Sequence, residues 1–154
     1  MAFAPLIVMA VAAVASAAAT YASAKQQSET NKYNAKVYEN EALTQKYAAK
    51  YEEKKHRERV RRFIGIQRAK YAASGIDISA GGSAQMVISD TAGQGEMDAL
   101  AIRYGGDVAA IGARNKATLQ KFLGKSTMAA GYLETGATLL SSASNMYGMQ
   151  LKTG

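Results

Sequence analysis

Cysteine and tryptophan are absent from the sequence, and proline and histidine occur once each. Without cysteine there is neither a disulfide framework nor a thiolate metal site, and the redox compartment stays undetermined. The single histidine, His56, cannot build a metal centre alone, so neither a metal nor a cofactor is expected. Runs rich in β-branched and aromatic residues are scarce, which disfavours sheet, and one proline leaves long stretches free to be helical. What fills the 154 residues is largely alanine, within an apolar content of 48% that is enough for a core. An all-α fold follows.

Acidic residues are too few to balance the basic ones, and the formal charge is +7. Residues 25–72 hold 13 Lys and Arg against 6 Glu, while the rest of the chain holds 6 of each sign. The excess therefore sits in one stretch, which favours an acidic partner such as nucleic acid or anionic lipid. Within it, EEKKHRERVRR at residues 52–62 offers Lys54, Lys55, Arg57, Arg59, Arg61 and Arg62 as candidate ligands for phosphate or lipid headgroups. Glu52, Glu53 and Glu58 answer them locally, so a solvated helix face with internal ion pairs is the competing reading, and His56 reads as a solvated neighbour.

Charge is missing altogether from residues 1–24, where 11 residues are alanine and Pro5 stands where a helix can begin. The length could span a bilayer, but only Leu6, Ile7, Val8, Met9, Val11 and Val14 bring strong apolar character to its interior. Three readings stand: a marginal membrane segment, an alanine-rich helix packed against copies of itself, and a signal peptide whose small residues at 22–24 lack a basic region ahead of them. From residue 25 to 73 the chain becomes a long, basic, polar helix. Its sparse apolar positions, Tyr33, Val37, Tyr47 and Tyr51, fall on a three-four repeat that resumes at Val60, Ile64, Gln67 and Tyr71, a coiled-coil-like stripe weakened by its polar members. Tyr33, Tyr38, Tyr47 and Tyr51 could alternatively stack on bases.

Residues 74–83, SGIDISAGGS, break the helical pattern. Gly75 suits the left-handed position after a helix end, with Ile76 closing a Schellman motif, and Ser83 or Ser79 is expected to cap the next helix. That helix, residues 84–125, carries a stripe of small residues at three-four spacing: Ile88, Ala92, Gly95, Ala99, Ile102, Gly106, Ala109 and Ala113. The stripe is a candidate oligomer seam, because small side chains let helices approach closely. A second stripe runs beside it through Met97, Ala101, Tyr104, Val108, Ile111, Thr118 and Phe122. Residues 126–154 are weakly apolar, and Leu139 and Leu140 join the candidate membrane residues.

No catalytic residues are expected. Asp90, Glu96, Asp98 and Asp107 lie among Arg103, Arg114 and Lys116 as on a charged helix surface, and the glycine pairs lack the spacing of a phosphate-cradling loop. The expected architecture is a long antiparallel helical hairpin, oligomeric, folded at residues 74–83 and carrying apolar terminal helices at residues 1–24 and 126–154, at the end of the shaft away from the turn.

Residues 61–104, RRFIGIQRAKYAASGIDISAGGSAQMVISDTAGQGEMDALAIRY, resemble the small internal virion protein, also called core or ejection protein, of short-tailed bacteriophages. The resemblance implies a helical protein stored in the capsid interior near the portal and then delivered into the host cell envelope, where it helps form the channel through which the genome DNA passes. It implies homo-oligomers, other internal virion proteins, portal and tail proteins, host membrane lipid and genome DNA as partners, and no enzymatic role. Two other readings rest on the residues alone: a membrane-anchored coiled-coil scaffold and a basic helical nucleic-acid-binding protein.

Overall fold

The computed structural model describes the backbone of residues 3–79 and 81–150, and the side chains of residues 11–79, 81–145, 147 and 148. It contains two long helices, α1 (Phe3–Ala73) and α2 (Ser83–Gln150), which pack against each other as an antiparallel hairpin. The composition shifts near residues 24 and 125 are not structural breaks, because each helix runs straight through one of them. Neither shift contains proline, the glycine at the second, Gly124, is buried and accepts from the Ser28 hydroxyl of α1, and Ser126 satisfies its hydroxyl on the Leu123 carbonyl inside the helix (3.0 Å).

The chain divides into two compact units: a terminal unit from the described parts of Met1–Val37 and Lys116–Gly154, and a turn unit, Tyr38–Asn115. In the turn unit, α1 ends in a Schellman motif. The Ile76 amide donates to the Tyr71 carbonyl and the Gly75 amide to the Ala72 carbonyl, each at 3.0 Å, and Gly75 takes φ +73°. The start of α2 differs from expectation. Gly82, at φ +94°, is the cap residue, its carbonyl accepting from the Met86 amide, and Ser83 is already helical. Ser79 instead donates its amide and hydroxyl to the Asp77 carboxylate (2.9 and 2.6 Å), closing a turn within the link.

What lies between the helices is small. In the turn unit the interior is lined by Ala42, Ala84, Ile88, Gly95, Ala99, Ala110 and Ala113, and in the terminal unit by Ala17, Ala24, Ser28, Ala35, Ala117, Gly124 and Gly131. A Cβ on Gly95 would stand 2.6 Å from Val60, and Cβ atoms on Gly106 and Gly131 would overlap the methyls of Ala49 and Ala24. Close approach at these points explains why glycine is tolerated inside α2 despite its cost of about 1 kcal/mol relative to alanine. In the terminal unit, the buried Ser28 hydroxyl also donates to the Gly124 carbonyl across the seam (2.9 Å), and the Tyr21 and Tyr132 rings meet at 5.7 Å.

Inward positions in the turn unit recur every eleven residues: 84, 95 and 106; 88, 99 and 110; 91, 102 and 113 on α2, and 49, 60 and 71 on α1. Eleven residues over three turns is close to the relaxed helix, so the two helices mesh without the left-handed winding that a seven-residue repeat imposes. The α1 seam is accordingly not the tyrosine stripe. Tyr33, Val37, Tyr47 and Tyr51 are exposed, and only the later positions Val60, Ile64, Gln67 and Tyr71 are turned toward α2. Tyrosine rings at positions 33, 47 and 51 would hold the helices apart if turned inward, whereas the alanines and serine of the seam let them close.

Candidate functional site

Two features stand out in the turn unit: a charged bridge beside a basic groove, and an apolar outer face. The bridge is centred on Arg57. Its guanidinium donates to Glu53 one turn earlier (2.6 Å) and, through two nitrogens, to Glu96 on α2 (2.6 and 3.0 Å). Glu53 is buried and Glu96 exposed, so one arginine ties an inward carboxylate of α1 to an outward carboxylate of α2. His56 is turned toward α2 as well, its Nε2 at 3.9 Å from Asp98 and without a hydrogen-bond partner, so it is not the solvated neighbour expected.

The hydrogen bonds from Arg57 hold the Glu96 carboxyl below its ordinary value of 4.5, and Lys32 does the same for Glu29 in the terminal unit. A depressed carboxyl contributes stability above its unfolded pKa, and that contribution is lost as pH falls through the folded one. Urea midpoints of the protein are therefore expected to fall on acidification below about 4.5, and Glu96→Gln is expected to flatten that dependence. Circular dichroism across a pH series measures it; an unchanged slope in the variant would remove Glu96 from the acid response.

The six basic candidates do not share a surface. Consecutive helical residues point about 100° apart, so a contiguous run fans out around the axis. Arg57 is committed to the bridge, Arg62 lies 3.9 Å from Glu58, and the Lys55 ammonium stands 5.9 Å over the Tyr51 ring. Arg59 is exposed, and Arg61 borders a small cleft beside Val60 and Gly95. Of the six, Lys54 and Arg57 reach the main groove, a cavity of about 610 Å³ that Lys46, Lys50 and Arg103 also line. The sequence reading named Arg103 only as part of a charged helix surface and passed over Lys46 and Lys50. For Lys46 and Lys50 the signal was the four-residue spacing with Lys54, which stacks three lysines on one face.

No protein-family model, curated protein or solved structure matches the chain. Functional inference therefore rests on the residues and their arrangement.

The small-residue stripe of α2 finds its partner within the chain. Ile88, Gly95, Ala99, Ile102, Gly106 and Ala113 are turned against α1, leaving Ala92 and Ala109 exposed. The face open to a neighbour is the second stripe: Met97 and Tyr104 are each 72% exposed, and Ala101, Val108 and Ile111 are exposed between and beyond them. Of the candidate membrane residues, the side chains of Leu6, Ile7, Val8 and Met9 lie outside the described residues, while Val11, Val14, Leu139 and Leu140 are exposed. Among the described residues, no helix is long and apolar enough to cross a membrane, and no three His, Asp or Glu side chains stand together to hold a metal.

Proposed function

We propose that the chain is an internal virion protein of a short-tailed bacteriophage, stored in the capsid and delivered into the host envelope, where copies assemble into the channel for genome passage. The observation that carries this reading is the inverted distribution of apolar side chains. Alanine and glycine occupy the seam between α1 and α2, while Met97, Tyr104, Val108 and Ile111 form an outward row on the turn unit. A hairpin built this way leaves its largest apolar groups for neighbours, and an exposed row of this kind marks an interaction surface.

The sequence motif at residues 61–104 supplies the family resemblance, and composition supplies a reason the role is feasible. Weakly apolar segments at residues 1–24 and 126–154 are compatible with a stored, water-soluble state and a later lipid-associated one, which a strongly apolar span would not be. The earlier candidate seam is assigned to folding of the protomer, and the Met97 row to contacts between protomers.

The test is sedimentation of the full-length protein with and without phosphatidylethanolamine/phosphatidylglycerol vesicles. The wild type is expected to assemble and to float with vesicles, and the pair Tyr104→Glu and Ile111→Glu is expected to keep its helix content while losing assembly. A wild-type monomer that neither assembles nor binds vesicles overturns the proposal.

A further inference from the structure

We infer that the groove of the turn unit is a binding site for a single strand of nucleic acid, with Lys46, Lys50, Lys54 and Arg103 on its phosphates and Tyr47 and Tyr51 against its bases. The inference stands on the groove alone and does not depend on the virion reading.

The first argument is register. Arg57 meets Glu96 across the seam; seven residues back on α1 and seven forward on α2, the same register sets Lys50 opposite Arg103. Both line the groove, yet they are like charges, and a hairpin closed by opposite charges at one position faces cation to cation two turns away. Lys46, Lys50, Lys54 and Arg103 have no ion-pair partner among the described residues, and all four are exposed. Glu53 gives the groove little negative charge, because it is buried and neutralised by Arg57. That leaves Asp107 as the one lining carboxylate not engaged in an ion pair. An anion seated here turns the repulsion between Lys50 and Arg103 into two attractions.

The second argument is shape. Lys46, Lys50 and Lys54 stand one helical turn apart, about 6 Å per step, so the cations form a ladder suited to a linear polyanion more than to an isolated phosphate. The groove is a cleft of about 610 Å³ along the junction of the two helices, with the lysines on one wall and Arg103 on the other. A flexible single strand can adapt the spacing of its phosphates to such a ladder, whereas a duplex holds its own spacing fixed.

The third argument is the aromatic shelf. Tyr47 and Tyr51 do not line the groove itself, but they stand three residues before Lys50 and Lys54, in the row next to the lysines, and at 68% and 66% exposed they form no seam within the chain. A basic groove with aromatic rings beside it is the arrangement by which proteins hold single strands without reading sequence. The Lys55 ammonium over the Tyr51 ring adds a further cation to the same shelf.

The experiment is fluorescence anisotropy of the full-length protein with 5′-labelled oligo-dT of about 15 nucleotides, a matched duplex, and anionic vesicles as a separate arm. Oligo-dT is expected to bind more tightly than the duplex. Lys50→Glu is expected to weaken it at least tenfold, and Lys50→Ala with Arg103→Ala to lower the slope of log affinity against log salt by about 1.4. Tyr47→Ala is expected to cost about tenfold at constant salt slope. Because Lys50→Glu places a carboxylate opposite Arg103, its melting temperature is expected to match or exceed wild type, which separates lost binding from lost folding. Unchanged oligo-dT binding in Lys50→Glu, preference for the duplex, or a loss confined to the vesicle arm overturns the inference.

Discussion

Gly106→Leu is expected to lower the urea midpoint of the hairpin sharply, by about 3 kcal/mol, while Gly105→Ala raises stability by about 1 kcal/mol. The two residues are neighbours in sequence and identical in chemistry, so the contrast isolates geometry. A Cβ on Gly106 would overlap the Ala49 methyl and also meet the Ala49 Cα at 3.5 Å and the Gln45 carbonyl at 3.4 Å. A methyl fixed to a helix backbone has no rotamer to escape into, so relief requires the two helices to separate. Separation also loosens the Ala42, Ala110 and Ala113 cluster, whose small side chains cannot reach across a wider gap. At Gly105 a Cβ meets nothing within 4 Å, and the change to alanine leaves only the gain in helix propensity. Gly106→Ala should fall between, its propensity gain outweighed by the clash. Urea unfolding followed at 222 nm measures all three. Equal stability of Gly106→Leu and wild type would mean that the helices do not approach each other at this point.

The same glycine shows how far the sequence could be read. Three-four spacing of small residues on α2 announced a close helical neighbour, and six of the eight named positions do face one. Spacing carries no information about which chain supplies that neighbour, so the stripe was assigned to other copies when α1 takes it. On the first half of the α1 stripe, at Tyr33, Val37, Tyr47 and Tyr51, the expectation chose the wrong face for a related reason, whereas Val60, Ile64, Gln67 and Tyr71 do face α2. Large apolar residues usually mark the buried side, but a seam this tight selects Ala35 and Ala42, which are hard to distinguish from the alanines scattered elsewhere on the helix. Tyr33, Tyr47 and Tyr51 were left outside. The corner was more legible, because Gly75 followed by Ile76 has one favourable way to close a helix, and it does so. At the other side of the link, both serines were reasonable caps, and a flexible glycine pair allowed Gly82 to take the position instead. The basic groove was half hidden. Contiguous charges at residues 52–62 drew attention to a run that fans around the helix, whereas Arg103 joins Lys50 only once the register between the helices is known.

Arg57→Met is expected to be the most destabilising change among the charged residues of the turn unit, and more so than Glu53→Gln. The asymmetry follows from burial. Glu53 is only 5% exposed, and its carboxylate accepts from Arg57 at 2.6 Å; without the guanidinium it remains a charge in the seam with no cation bonded to it. Lys50 and Lys54 line the same groove, but neither is bonded to Glu53. Glu53→Gln removes the buried charge, leaves Arg57 its two hydrogen bonds to the exposed Glu96, and should be milder. Glu96→Gln should be milder still, since an exposed ion pair is screened by water. Arg57→Lys retains a charge without the planar fork that serves two carboxylates at once, and should lie between wild type and methionine. The decisive variant is the double change Glu53→Leu with Arg57→Met. Replacing both members of a buried pair by apolar groups is often neutral, so the double variant should recover much of what Arg57→Met loses. Urea midpoints for the five variants form the test. If the double change is no more stable than Arg57→Met alone, the loss comes from packing of the arginine stem and its hold on Glu96, and the buried carboxylate is not what Arg57 is there to neutralise.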